Sequence, residues 1–302
     1  MQAVVIGNLA IDETFRVPHL PRPGETLLAD AVSSDLGGKG TNQAVVLARC
    51  GVRTRLVARL GRDEQASRLR ALLAREPLDL AGLIATEAPA DRSIVLLTQA
   101  GENAIVSSIV RAPPFTQAEL LAAMEACVAG DLLMMQGNLT EPVTAQALAI
   151  ARARGLLVVF NPAPTSPGFA TLWGLIDLVV LNAIEARQMT GSMDPFAAAR
   201  AIHAAGAKQV AVTLGADGAV LWDGQALARV AAAPAAARDT TGAGDTFTAV
   251  LAAALLVHRR APEAALAAAA RASALTISRA GTLASFPSKA ELAAILHGDP
   301  IA

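Results

Sequence analysis

Apolar residues fall in short runs separated by longer mixed stretches. Six runs are of strand length: "AVVIGNL" (3–9), "RLVARLG" (55–61), "DLLMMQG" (131–137), "LLVVFNP" (156–162), "LVVLN" (178–182) and "QVAVTLG" (209–215). Several are apolar on consecutive residues rather than alternate ones. That pattern suits central parallel strands covered on both faces. Helix-like segments lie between the runs, and some carry start signals. Thr116 with Glu119 and Ser288 with Glu291 match the capping box, and Asp194 precedes a proline at a first helical position. Strands alternating with helices predict an α/β fold: a doubly wound, mostly parallel sheet flanked by helices, with ligands beyond the carboxyl ends of its strands.

Two stretches break the rhythm. Residues 10–36 include "VPHLPRPGE", and residues 92–110, "RSIVLLTQAGENAIVSSIV", read as two strands about a turn. Together they predict a small β-sheet, 10–36 and 92–110, standing off the main domain. The core then comprises 1–9, 37–91 and 111–302. A ligand, or the same sheet of a second subunit in a homodimer, could cover the exposed edges of such a sheet.

Composition narrows the class. The chain has 302 residues, is 53% hydrophobic and 17% charged, and has a net charge of -1. A large core is within reach, and no charge excess favours nucleic acid or an anionic membrane. No apolar run approaches a membrane span, and the start "MQAVVIGNLAIDE" lacks the basic region of a secretory signal. Cys50 and Cys127 have no paired spacing and read as small apolar residues of a reduced protein. A cytoplasmic location is expected.

The candidate chemistry lies in two glycine-rich stretches. Residues 239–247 read "DTTGAGDTF", immediately before an apolar, Ala-rich helix. Ala would hold that helix better than glycine, by about 1 kcal/mol per residue. Gly242, Ala243 and Gly244 instead offer bare amides at a helix start, an arrangement that attracts anions. Asp245 follows within the first turn, where it can take a proton from a hydroxyl attacking a held phosphate. An acid there also stabilises any helix start. The second stretch, "GGKGTNQ" (37–43), places Gly38, Lys39 and Asn42 before another helix, a set suited to a sugar or other polyol. Asp12 is a further candidate for hydroxyl binding. The Walker A, dinucleotide, HExxH and GxSxG patterns are absent, and the four histidines are scattered.

The pair "GGKGTNQAVVLARCG" and "DTTGAGDTFTAVLA" resembles the two signatures of the ribokinase-like, or phosphofructokinase-B type, family of carbohydrate kinases. "NAIE" (182–185), "TLGADG" (213–218) and "NPAP" (161–164) resemble further landmarks of that family. The resemblance implies Asp245 as catalytic base and Gly242, Ala243 and Gly244 as anion hole. It implies Asp12, Gly38, Lys39 and Asn42, with Asn138 at a strand end, as sugar contacts. It places Asn182, Thr213, Gly215 and Gly218 at the nucleotide, and Glu185 indirectly at Mg²⁺. Asp239, Thr241, Thr276, Gly281 and Ser285 take the positions of a monovalent-cation site, occupied by K⁺ in many members.

The implied reaction is transfer of the γ-phosphate of ATP to a hydroxyl of ribose or a related pentose or ketohexose. Alternatives on the same fold are a nucleoside or sugar-phosphate kinase, or a non-catalytic regulator. Two positions depart from the family's ribokinase members. Ala10 stands where they carry Asn, and Asn138 where they carry Glu. Arg92 and Arg111 could serve a substrate phosphate, although solvated arginines are the simpler reading.

Overall fold

The computed structural model describes residues 1–99, 103–108 and 113–299, with Asn103 and Ser108 described for their backbone alone. Residues 100–102 of the turn read in the second β-rich stretch, and Arg111, lie outside the described residues. In chain order the strands are β1 (Gln2–Ile6), β2 (Ala10–Val17), β3 (Ala31–Gly37), β4 (Arg53–Leu60), β5 (Leu78–Asp79), β6 (Leu83–Ala85), β7 (Asp91–Thr98), β8 (Asn103–Ser108), β9 (Leu132–Gln136), β10 (Leu157–Asn161), β11 (Leu178–Asn182), β12 (Gln209–Thr213), β13 (Ala219–Trp222) and β14 (Leu227–Val230). The helices are α1 (Lys39–Arg49), α2 (Glu64–Leu73), α3 (Gln117–Ala123), α4 (Glu141–Ala153), α5 (Ala183–Thr190), α6 (Pro195–Ala204), α7 (Ala243–Ala252), α8 (Pro262–Ile277) and α9 (Lys289–His297).

All six apolar runs are strands of one sheet, in the order β14-β13-β12-β11-β10-β9-β1-β4-β5, with β6 beside β4. From β12 to β5 neighbouring strands are parallel. The consecutive apolar residues have their physical reason in two cores. Ala3 and Val5 of β1 join a core with α1, α7 and α8, while Val4 and Ile6 join a second core with α4 and α6. The strands β9, β10 and β11 alternate in the same way. Beyond β12 the sheet turns antiparallel through β13 and β14, which the sequence pattern did not indicate.

The chain begins in mid-sheet at β1, moves outward to β4 and β5, then returns past β1 to β9 and beyond. The direction of winding therefore reverses between β1 and β9. Open α/β sheets bind ligands at that crevice. Alanines allow close helix packing there: Ala249, Ala252 and Ala253 lie against Ala265, Ala269 and Ala272, all fully buried.

A second sheet, in the order β3-β2-β7-β8, is built from the two stretches that broke the rhythm. Strand β2 leaves the main sheet directly after β1, so this sheet is anchored beside the switch point. In its register Asp12, Asp35 and Ser93 are paired neighbours on one face. The opposite face carries Val32, Ile94 and Val106, all exposed. The predicted capping boxes of α3 and α9 form in full, and Asp194 caps α6 ahead of its proline.

Candidate active site

The opening of α7 is built on a left-handed glycine. Gly242 is its N-cap at φ 77°, with no side-chain cap. A Cβ there would come within 2.5 Å of the Phe286 ring, so both the backbone angle and the packing demand glycine. A Cβ on Gly244 would instead meet nothing within 4 Å, so space lies open above the first turn. The early amides of a helix have no intrahelical acceptor, and the dipole lends them positive potential. A pocket of about 210 Å³ opens over them, lined by Gly242, Gly244, Asp245, Lys39, Glu185 and Thr213, with Asn182 and Thr241 also on its wall.

Asp245 is 5% exposed, and each of its carboxylate oxygens accepts one amide hydrogen bond. Asn42 Nδ2 donates to Oδ2 and Gln43 Nε2 to Oδ1, both at 2.9 Å. Gln43 is itself held. Its Oε1 accepts from Gln136 Nε2 at 2.8 Å, and its Nε2 also lies 3.2 Å from Asn161 Oδ1. Asn161 Nδ2 donates to the Val180 carbonyl at 2.9 Å. Neutral donors thus satisfy a buried charge without neutralising it. Gln43 and Gln136 are the site residues that sequence reasoning passed over. The quoted "GGKGTNQ" and "DLLMMQG" contain both, but no local signal says that they meet.

The glycines of the second stretch serve packing as much as ligand access. A Cβ on Gly38, at φ 92°, would stand 2.9 Å from the Ala10 nitrogen and the Asn8 carbonyl. A Cβ on Gly37 would fall 2.1 Å from the Asp12 carboxyl. Asn8 supplies the cap that Gly38 lacks. Its Oδ1 accepts from Gly40 N at 3.3 Å, and its carbonyl from Thr41 N at 3.1 Å. The loop after β1 thereby sets the start of α1, and α1 in turn presents Asn42 and Gln43 to Asp245.

Asp12 is not among the residues that line that pocket. It is buried, and burial pushes its carboxyl up to about 6, with the Asp245 and Asp35 charges adding to the rise. Hydrogen bonds from Ser93 and Thr282 act in the opposite sense. Glu185 is also raised by burial, while the Lys39 charge lowers it and Asp245 raises it. The Asp245 charge therefore acts on both Asp12 and Glu185. Lys39, expected at the sugar, lines the same pocket as Asn182 and Glu185.

The remaining candidates divide. Asn182 and Glu185 form a reciprocal capping box at the start of α5, each side chain taking the other's amide at 2.8 Å. The NxxE spacing thus has a local structural purpose as well as a place on the pocket wall. Gly215 and Gly218 are not among the pocket-lining residues. They shape the β12–β13 turn, where a Cβ on Gly218 would strike the Val230 carbonyl. Asn138 follows β9 with its Oδ1 buried and unpartnered, and Asn42 Oδ1 is in the same condition.

Asp239 accepts from Thr241 N at 2.9 Å and Gly281 N at 3.1 Å. The hydroxyls of Thr276 and Ser285 are used internally, on Ala272 and Thr282 carbonyls, whereas Thr241 Oγ1 is buried with no partner. A carboxylate beside an orphaned hydroxyl fits a monovalent cation. Among the described residues no cluster of three His, Cys, Asp or Glu could hold a metal.

Residues 2–289 match the model of the pfkB family carbohydrate kinases. The ribokinase of Haemophilus influenzae is 29% identical over 295 residues, which cover 95% of each protein. The bifunctional ribokinase/ribose-5-phosphate isomerase A of Fructilactobacillus sanfranciscensis is also 29% identical, over 98% of this chain and 56% of that protein. The solved structure of Arabidopsis thaliana ribokinase, complexed with ribose and ATP, superposes with a TM-score of 0.83 at 28% identity, covering 98% of both chains. The chain belongs to the pfkB family of carbohydrate kinases and is an ATP-dependent kinase.

Asp12 gives a direct test of the site's electrostatics. Its folded-state value lies above the ordinary 3.8. Its contribution to stability is therefore fully present below about pH 4 and lost as pH rises through about 6. Asp12→Asn cannot ionise. At pH 8 it should be more stable than the parent by on the order of 2–3 kcal/mol, and the gap should close towards pH 4. Thermal unfolding at both pH values checks this, and an equal gap at both would contradict it.

Proposed function

We propose that this enzyme transfers the γ-phosphoryl group of ATP to a hydroxyl of a small neutral sugar, ribose or a related pentose or ketohexose. The single observation behind this is the place of Asp245. Two amides hold it, it lines the pocket over the open helix start, and its charge acts on the buried Asp12. Phosphoryl transfer has a loose transition state, so positioning and charge neutralisation supply most of the catalysis.

In this reading Asp12 and Asn42 Oδ1 accept hydrogen bonds from acceptor hydroxyls, and Asn138 Oδ1 offers a third acceptor. The reacting hydroxyl lies beside Asp245, which takes its proton as oxygen attacks phosphorus. The amides of the Gly242–Gly244 turn receive the developing negative charge. Lys39 and Glu185 stand on the phosphate side, with Asn182 and Thr213 along the same wall. Mg²⁺ near Glu185 and a monovalent cation such as K⁺ at Asp239 and Thr241 would supply positive charge around the phosphates. The second sheet acts as a lid over the acceptor and excludes water.

Charge favours a neutral acceptor. Asp12, Asp35 and Asp245 place three carboxylates around the acceptor side, which repel a phosphorylated sugar. Arg92 alternates with Ser93 along β7, so it projects from the side of the sheet opposite Asp12. Ala10 removes a polar contact that ribokinase members carry and Asn138 replaces a carboxylate with an amide; such changes shift acceptor preference steeply.

Two further proposals complete the reading. The exposed apolar face of Val32, Ile94 and Val106 supports a homodimer formed through the second sheets. Two free, buried cysteines support a cytoplasmic location.

The test is ADP release with Mg-ATP, K⁺ and a panel of sugars, sugar phosphates and nucleosides. One neutral sugar should be preferred at least tenfold over any phosphorylated acceptor. Preference for a phosphorylated acceptor would overturn the assignment, and tight ATP binding without turnover would point to a regulator. Light scattering should give twice the 30.8 kDa of one chain. A single-chain mass at working concentration would remove the dimer.

A further inference from the structure

Asp35 adds charge to the acceptor side, and its contacts also join the two halves of the site. It lies on β3, directly opposite Asp12 in the β2–β3 register. Its Oδ2 accepts from the backbone amides of Thr282 and Leu283, both at 2.9 Å. Those residues belong to the loop that follows α8. The same loop is held from two other directions. Gly281 N donates to Asp239 Oδ2 at 3.1 Å, and Thr282 Oγ1 donates to Asp12 Oδ2 at 3.3 Å.

The loop then runs to Phe286, whose ring lies directly under Gly242. Arg49 of α1 fixes the exit, donating to the carbonyls of Phe286 and Pro287 at 2.9 and 3.3 Å. Thr282, Ser285 and Phe286 are buried, so the segment has a packed, defined course. A path of direct contacts thus leads from the second sheet to the phosphate cradle. Asp35 is its only carboxylate on β3, and it holds two successive amides by charge-assisted bonds.

We propose that Asp35 is a positioning residue that ties the acceptor-bearing second sheet to the loop beneath the phosphate cradle, so that Asp12 and the Gly242–Gly244 turn keep one fixed separation. This rests on the kinase reading above. The physical argument is geometric. Thr282 is shared between Asp12 of β2 and Asp35 of β3. Without Asp35, two loop amides lose their acceptor. Thr282 is then free to shift, and the Asp12 carboxylate loses a fixed partner. Misplacement of a binding group by about 1 Å can cost a hundredfold. The nucleotide side, built on α5, α7 and β12, makes no use of Asp35.

The experiment compares the parent with Asp35→Ala, and with Asp35→Ser should the alanine variant fail to fold. Asp35→Asn keeps an oxygen that can accept both amides. Backbone amide exchange at Thr282 and Leu283 reads the tether without reference to activity. Acceptor KM, kcat and nucleotide affinity read its consequence. The alanine or serine variant should exchange both amides at least tenfold faster and raise acceptor KM at least tenfold. Its kcat should change less than threefold and its nucleotide affinity less than twofold. Asp35→Asn should restore both amide protection and KM to within about threefold of the parent.

Unchanged exchange in the alanine or serine variant would overturn the tether. Faster exchange with unchanged KM would overturn its positioning role. Equal losses in acceptor and nucleotide affinity would likewise overturn it, as the mark of a general structural defect. If the parent itself transfers phosphate to no acceptor, the kinase reading fails. The exchange result still decides whether Asp35 holds the loop.

Discussion

The site depends on one buried carboxylate held by neutral partners. Asp245 could have been stabilised by an arginine or lysine, but a buried ion pair would oppose proton uptake and fix the group in place. Two side-chain amides satisfy its oxygens instead. They orient the carboxylate without pairing it with a cation. The cost is that each amide must itself be oriented. This accounts for the polar ends of β9 and β10, where Gln136 and Asn161 meet Gln43 in an otherwise apolar interior.

From that constraint the rest of the local architecture follows. The starts of α1 and α7 must approach each other, and both are opened by glycines rather than by ordinary caps. Asn8, in the link between β1 and β2, takes over the capping of α1 and so couples the sheet's switch point to the carboxylate network. The second sheet adds Asp12 and Asp35 to the same region. Burying a carboxylate is unfavourable for the folded chain; burial raises the Asp12 carboxyl, and the like charges of Asp245 and Asp35 add to the rise. Active sites commonly carry such a cost in stability.

Much of this was legible in the sequence, for physical reasons that can be named. Strands buried on both faces must be apolar on successive residues, so β9, β10 and β11 stood out. Helix starts need local caps, so Thr116 with Glu119 and Ser288 with Glu291 were readable over three residues. The start of α7 was readable because glycines stand out before an Ala-rich run, and Gly242 is its N-cap. What escaped was long-range. Gln43 meets Gln136 and Asp245 across spans of chain that leave no periodic trace, and Asp35 is tied to Thr282 in the same way. The glycines of "GGKGTNQ" were read as ligand contacts, yet Gly37 and Gly38 also answer to steric demands from Asp12, Asn8 and Ala10. The antiparallel edge was missed because β13 has only four residues and β14 is largely exposed, so neither stands out as an apolar run.

The central claim is that Asp245 acts on the acceptor's proton while the neighbouring turn holds the phosphate. Single-turnover phosphoryl transfer in Asp245→Asn, measured beside nucleotide affinity, tests it most directly. Asn keeps the size of the side chain and lacks the basicity. The account predicts a fall in the chemical step of at least about 10³-fold with nucleotide affinity within about threefold of the parent. A chemical step within tenfold of the parent would contradict it.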